Sequence, residues 1–547
     1  MTKNTDSDEL PVLIVGGSLV GLSTALFLAK HGVESLTVER HAGTAIHPRA
    51  GHLHLRTLEL MRSVGLEEPL QRLSAERFFP NGGINAMETL AGGEIATYIP
   101  NLNEGVAEFS PSRRLFVAQD ALEPLLRERA EQLGATLRYS AEVVQLYQDA
   151  DSVTAVVRDR TTGDDRSVRA RYVVAADGNR SPIRTQLGIG MRGHGLLSRS
   201  ATIYFQADCR ELLAGTELGV IYIDNPSLRG FFRFERSGTS GFLVVNTLGD
   251  PTRPGALDVT KGLTTERAAD LVRAAVGVPN LAVQVDDVAH WNAMAEVAER
   301  YQEGRIFLAG DAAHVVPPNG GFGGNTGIHD AHNLAWKLAM VVRGAAGEGL
   351  LDSYDAERRP VGGLTVDQAY SRYRHRVTPE LLADDVPPLV DDFSMEIGYR
   401  YHSAAVVPDA DAADDCDIVG HPRDAAGRPG TRAPHVEYAA AVSSLDLFGS
   451  GFVLLSGRAG GAWRAAARVV VDRLGVPLQA HPAGAHPDLL AAAYGITEQG
   501  AVLVRPDGFV GWRSRNGAAR PDDEIARALQ SLIARRQEAP RRNTITI

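Results

Sequence analysis

The residues with the plainest chemical meaning stand near the start of the chain. Val15-Gly16-Gly17-Ser18-Leu19-Val20-Gly21 approximates a G-x-G-x-x-G turn, with Ser18 in place of the second glycine. Such a turn needs a sharp bend at Gly16 and a small residue where backbone approaches a pyrophosphate. It also needs Gly21 for close packing of helix on strand. Gly16, Gly17, Ser18 and Leu19 would then turn helix N-terminal amides toward phosphate. Glu39 ends the next strand, 23 residues beyond Gly16. A carboxylate there can accept both hydroxyls of an adenosine ribose. A plain strand–helix turn is the bland alternative, and Glu39 at that spacing argues for a dinucleotide instead.

Two later segments narrow the choice of dinucleotide. Tyr172–Arg184 carries Asp177-Gly178 at the end of an apolar run, and Arg305–Pro318 carries Gly310-Asp311 in the same position. Either alone reads as an acidic residue opening a turn. Beyond the second lies Pro317-Pro318-Asn319-Gly320-Gly321-Phe322-Gly323-Gly324-Asn325-Thr326-Gly327, whose five glycines let backbone lie flat against a large ligand. A long helix follows, and its positive N-terminal end can face an anion.

In this order the motifs resemble those of the class A FAD-dependent aromatic hydroxylases, the para-hydroxybenzoate hydroxylase fold. The phenol and aromatic-polyketide branch, which includes aklavinone hydroxylase, is the most similar. The resemblance implies that Asp177-Gly178 serves FAD and NAD(P)H and that Asp311 holds the ribityl chain. It places Glu39, Arg40, Arg49 and Gln119 at FAD, with Gly310, Pro318, Gly321, Gly323, Gly324, Asn325 and Thr326 around the flavin. It implies a cycle in which NADPH, expected ahead of NADH, reduces FAD, and O₂ then gives a C4a-hydroperoxyflavin that hydroxylates a phenolic or polyketide aromatic. Arg49 is the expected catalytic residue at the flavin. Arg376, in Tyr373-Arg374-His375-Arg376, and Tyr222 are candidates near the substrate hydroxyl, where a cation or base favours phenolate. A solvated helix-end arginine and a core tyrosine are the bland alternatives. Baeyer–Villiger insertion, epoxidation or another flavin oxidation is the alternative outcome on the same fold. A nicotinamide-only dehydrogenase would leave the two later motifs without work.

These residues need elements to hold them. Val12–Val15, Leu19–Lys30 and Ser35–Val38 read as a β–turn–α–β opening. Segments Thr202–Phe205, Gly219–Ile223, Gly230–Phe234 and Gly241–Val245 read as an antiparallel sheet, with Phe205, Tyr222, Phe231, Phe232 and Phe234 available to line a pocket. Helices are expected over 326–342 and 354–376, with Pro360 starting or kinking the second. The fold class is α/β: a Rossmann-like FAD-binding domain (1–76, 105–190, 291–400) with an inserted β-sheet substrate domain (77–104, 191–290). A linker (401–433) and a thioredoxin-like C-terminal domain (434–547) lacking Cys-x-x-Cys complete it.

Composition excludes other classes. The 547 residues carry a net charge of −11 and no long basic run, which leaves no field for nucleic acid or anionic lipid. Two cysteines, Cys209 and Cys416, make no disulfide framework. The pairs His52/His54 and His329/His332 lack a third ligand, so no metal is expected. No apolar stretch approaches a membrane span or a signal core. A cytoplasmic enzyme acting on a small aromatic follows, and a homodimer is compatible with it.

Overall fold

The computed structural model describes residues 9–47, 51–410 and 416–535. Leu10–Val15 is an apolar run because it is covered on both sides. It pairs in parallel with Asp165–Ala175, which pairs in parallel with Ile306–Leu308. Ser35–Val38 lies on its other flank and pairs in parallel with Thr136–Arg138. Ala141–Gln148 and Val153–Asp159 extend antiparallel from the long Asp165–Ala175 strand. Val15, Ala175 and Leu308 are in register. The three motifs therefore leave the carboxyl ends of three adjacent parallel strands, where open α/β sheets bind ligands.

A second sheet runs Gln284–Ala298, Met191–Gln206, Ser240–Asn246, Leu228–Phe234, Leu218–Asn225, Gly83–Met87 and Glu94–Ile99, with His314–Val315 at its far edge. All its pairings are antiparallel except Leu218–Asn225 with Gly83–Met87. Strand alternation splits its aromatic residues between two faces. Phe205, Phe232 and Phe234 enter a buried core with Leu271 and Val272 of the helix Thr265–Val276. Tyr222 and Phe231 face a cavity instead. One face of the aromatic set thus lines the pocket, joined by Phe242 and Trp291, and ordinary packing takes the other.

The long helix begins at Phe322, four residues earlier than expected. The Asn325 amide donates to the carbonyls of Gly321 and His52, both at 2.7 Å, and so fixes the helix start. Gly323 to Thr326 therefore belong to the helix rather than to a flat loop. The next helix runs from Asp352 to Arg376 and so does not start at Pro360, which lies inside it.

The chain parts into two compact units. Residues 9–26, 36–331 and 362–390 form the first, which contains both sheets just described. Residues 27–35, 332–361 and 391–535 belong to the second. Its sheet runs Leu478–His481, Phe452–Ser456, Ala501–Val504 and Val510–Ser514, with one parallel and two antiparallel pairings. Described residues of the 401–433 stretch assigned above to a linker pack within this unit. Tyr401 stacks on Phe509 at 4.2 Å, and Arg432 bridges to Phe509. Among the described residues no helix is long and apolar enough to cross a membrane.

Candidate active site

A cavity of about 950 Å³ lies in the first unit and reaches from the Gly16 turn to Tyr222. That is at the upper end of the ~300–1,000 Å³ usual for cofactor and ligand pockets. Gly16 has φ +104°, and a Cβ on it would stand 2.2 Å from the Ala176 carbonyl oxygen. Gly21 lies beneath the turn, where a Cβ would meet the Gly16 oxygen at 1.8 Å. The first and second strands and the Asp177 turn meet here because no side chain intervenes.

Glu39 is buried and accepts the Gly17 amide at 2.7 Å and the His41 amide at 2.8 Å. Gly17, Ser18, Leu19 and Arg40 line the same end of the cavity. Asp177 and Gly178 line it from the neighbouring strand end. The Asp177 Oδ2 accepts the Ile183 amide at 3.2 Å, whereas its Oδ1 is buried with no protein partner. Burial raises the Asp177 carboxyl above its ordinary pKa. Asp311 is exposed and lines the cavity, as do Pro318, Gly321, Gly323, Gly324 and Asn325. Gly310 and Thr326 support this wall without lining it. The Gly310 amide donates to Asp330 at 3.1 Å, and the Thr326 hydroxyl lies 3.4 Å from that of Thr365. Arg49 lies outside the described residues.

Sequence reasoning missed Glu123. Its fully buried carboxylate accepts from the Ser18 hydroxyl at 2.5 Å, the Leu19 amide at 2.9 Å and the Gln119 amide nitrogen at 2.7 Å. Its other oxygen accepts the Ala45 amide at 2.6 Å. The Leu19 amide, assigned above to phosphate, is thus answered by Glu123. The local signal was Gln119 and Glu123, one helical turn apart on one face. Glu123→Ala leaves four donors without this acceptor. We expect it to lower stability by about 1–3 kcal/mol and to weaken FAD binding about tenfold, read by urea unfolding and by flavin fluorescence titration. Unchanged affinity would contradict the assignment.

At the other end of the cavity the Arg376 guanidinium stands 4.7 Å over the Tyr98 ring and 5.7 Å over Tyr222. The Tyr222 hydroxyl accepts from Asn319 Nδ2 at 3.2 Å, which ties it to the glycine-rich loop. His52 and His54 pack edge to face at 4.7 Å, and His54 Nε2 lies 3.0 Å from the Gly320 carbonyl. Burial first, then the charges of His54, Arg114, Arg233 and Arg376, hold the His52 imidazole well below its ordinary pKa, so it is neutral. Arg233 also lines the cavity. Its type gave no warning, since it sits among phenylalanines in Phe231-Phe232-Arg233-Phe234.

Motif-bearing strand ends that open into an aromatic pocket are the arrangement of a dinucleotide-dependent enzyme acting on an aromatic compound. The chain belongs to the FAD-dependent aromatic-ring hydroxylases: the FAD binding domain family matches residues 9–369, and the aromatic-ring hydroxylase C-terminal family matches 426–535. A 4-methyl-5-nitrocatechol 5-monooxygenase of Burkholderia sp. is 63% identical over 537 residues, covering 96% of this chain and 98% of that protein. An aklavinone 12-hydroxylase of Streptomyces purpurascens is 37% identical over 540 residues, covering 96% and 98%. The solved ternary complex of aklavinone-11 hydroxylase with FAD and aklavinone superposes with a TM-score of 0.90 at 36% identity, covering 97% of this chain and all of that one.

FAD is the cofactor, and the residues present fit it. The unanswered Asp177 Oδ1 offers an acceptor, and the Gly16 turn offers a surface that a Cβ would fill. Glu39 lines the same end of the cavity as the Gly16 turn.

Proposed function

We propose that this enzyme oxygenates a small acidic phenol of the nitrocatechol class at the Tyr222 end of the cavity. The observation that carries the reading is the pair Arg376 and Tyr222 in the cavity wall, backed by Tyr98 and Asn319, beside the apolar Ile84, Val220, Phe231, Phe242 and Trp291. The 63% identical nitrocatechol monooxygenase supports it. FAD, once bound and reduced by NAD(P)H, would supply the activation of O₂, and O₂ would provide the oxygen atom. The chain does the rest. Arg376 stabilises the phenolate, whose ring carbons are more nucleophilic than those of the neutral phenol. Asn319 donates to Tyr222, leaving that hydroxyl's proton available to a substrate oxygen. Because Asn319 directly follows Pro318, this bond sets the substrate's position against the loop that takes the flavin. The apolar walls keep water from the reacting atoms.

The C-terminal domain from residue 434 is thioredoxin-like in this reading. The βαβαββα order of its strands and helices supports this. Both cysteines of the chain lie outside it, which argues against thiol redox chemistry and for a structural or assembly role. NADPH is put ahead of NADH.

The test is oxidation of NADPH and NADH by the FAD-loaded enzyme, with 4-methyl-5-nitrocatechol, 4-nitrocatechol, 4-methylcatechol and a fused-ring anthracyclinone as candidate substrates. Nitrocatechols are expected to stimulate consumption most, with oxygenated products by mass. Stimulation by the fused-ring compound alone would overturn the small-phenol reading.

A further inference from the structure

We infer that Arg233 is a second anion-holding residue of this cavity, selecting substrates whose ring carries a nitro group or an additional oxyanion. The inference rests on the acidic-phenol reading above and adds a residue and a selectivity to it.

Strand geometry brings the side chain to the cavity. Arg233 lies two residues beyond Phe231, about 7 Å along the strand on the same face. It is directly opposite Phe242 on the neighbouring strand. Phe231, Phe242 and Arg233 all line the cavity, while Phe232 and Phe234 turn into the core. The guanidinium is held in place by stacking 4.1 Å over Phe78 and 4.8 Å over Phe116. Its Nη2 donates to the Gly51 carbonyl at 2.9 Å.

Among the described residues it has no carboxylate partner. Arg233 is only 5% exposed, and its buried Nε has no acceptor among the described residues. The carboxylates that act on it are Glu235 and Asp120, and Arg77 holds both. Arg77 Nε donates to Glu235 at 3.0 Å, and Arg77 Nη1 donates to both Asp120 oxygens at 3.2 Å. Burial first, then repulsion from Arg77, pushes the Arg233 pKa down to about 9, so the group remains a cation at neutral pH. A buried cation without a counter-ion is costly to fold. Arg77 consumes the two carboxylates that would have neutralised it, and the charge is left facing the cavity. His52 beside it contributes a buried Nε2 with no partner, and as a neutral ring it adds no competing charge. An acidic nitrophenol supplies what both groups lack: oxygen atoms bearing delocalised negative charge.

The experiment compares 4-methyl-5-nitrocatechol with 4-methylcatechol, which lacks the nitro group, on the FAD-loaded enzyme and its Arg233→Met variant. Binding is followed by the absorbance of ligand and flavin from pH 6 to 8. Arg233→Met is expected to raise the nitrocatechol Kd about 10- to 100-fold, as for loss of a charged hydrogen bond. The 4-methylcatechol Kd should change by less than about threefold. The pH at which bound nitrocatechol turns to its coloured anion should lie below that in water for the parent enzyme and rise in the variant. Arg233→Lys should restore part of both effects. Equal weakening of the two ligands, or an unmoved colour midpoint, overturns the inference. If Arg233→Met does not retain FAD, Arg233→Gln carries the same comparison. Failure of the parent enzyme to bind any nitrocatechol would instead remove the substrate class, a result distinct from an indifferent Arg233.

Discussion

Alanine at position 16 is expected to abolish FAD retention. The Gly16 backbone sits at φ +104°, a region that residues with a Cβ rarely enter. The added Cβ would stand 2.2 Å from the Ala176 oxygen and 2.8 Å from its carbonyl carbon. Both are backbone atoms and have no rotamer to escape into. The Gly16 amide also donates to Val38 at 2.9 Å, and the Ala176 amide to Val15 at 2.8 Å. Movement of the turn therefore disturbs the ends of three strands, and with them Glu39 and Asp177. The strain of such a backbone alone is worth about 1–3 kcal/mol. With displacement of the cradle added, we expect the FAD Kd to rise at least about 100-fold. Flavin fluorescence titration reads this directly. Gly93→Ala is the control, since a Cβ there meets nothing within 4 Å and its φ is not left-handed. Retention of FAD by the Gly16→Ala variant at parental affinity would contradict the placement of the cofactor.

The second large effect lies in the second unit. Glu357, Lys337 and Arg505 have fully buried side chains, with Asp507 nearly so. Arg505 donates to Glu357 at 2.6 and 2.9 Å and to Asp507 at 2.6 and 3.1 Å. Lys337 donates to Glu357 at 2.7 Å, and the Ser403 hydroxyl donates to Glu357 at 2.6 Å. Burial raises the Glu357 pKa, but the charges and hydrogen bonds of Arg505 and Lys337 outweigh it and hold the carboxyl below its usual range. Burial pushes Lys337 down to about 8 despite that partner. Arg505→Met removes one cation from between two buried carboxylates. Breaking a buried pair from one side costs about 3–5 kcal/mol, because a charge is left uncompensated. Urea unfolding at pH 7 should show that loss, and a loss below about 1 kcal/mol would mean the network is solvated. In a protein of two units the transition read must be that of the second unit, which Trp463 and Trp512, 5.6 Å apart within it, report by fluorescence.

The sequence exposes some of these features and hides others, for physical reasons. The Gly16 turn, Glu39, Asp177 and Asp311 were legible because a strand end, a tight turn and the next residue type are local constraints. The glycine-rich loop was legible for the same reason, although its helix start was not: Asn325 fixes that start through the carbonyl of His52, 273 residues away. Glu123 was hidden because its partners Ser18 and Leu19 lie 105 and 104 residues earlier. Arg233 was hidden because its meaning lies in a deficit. Only the structure shows Arg77 occupying both nearby carboxylates. The aromatic cluster was half legible: composition counted its rings, and strand alternation divided them between core and cavity. Pro360 does not start its helix, because its cost of about 3 kcal/mol falls within a 25-residue helix anchored by Glu357 and Arg358, both buried.

The most direct test of a flavin beside a phenol-binding cavity is turnover under ¹⁸O₂ with NADPH and 4-methyl-5-nitrocatechol. The proposed function predicts a product carrying a single heavy oxygen atom, formed in step with NADPH consumption. NADPH consumption that yields only hydrogen peroxide, with no labelled product from any phenol tried, would contradict it.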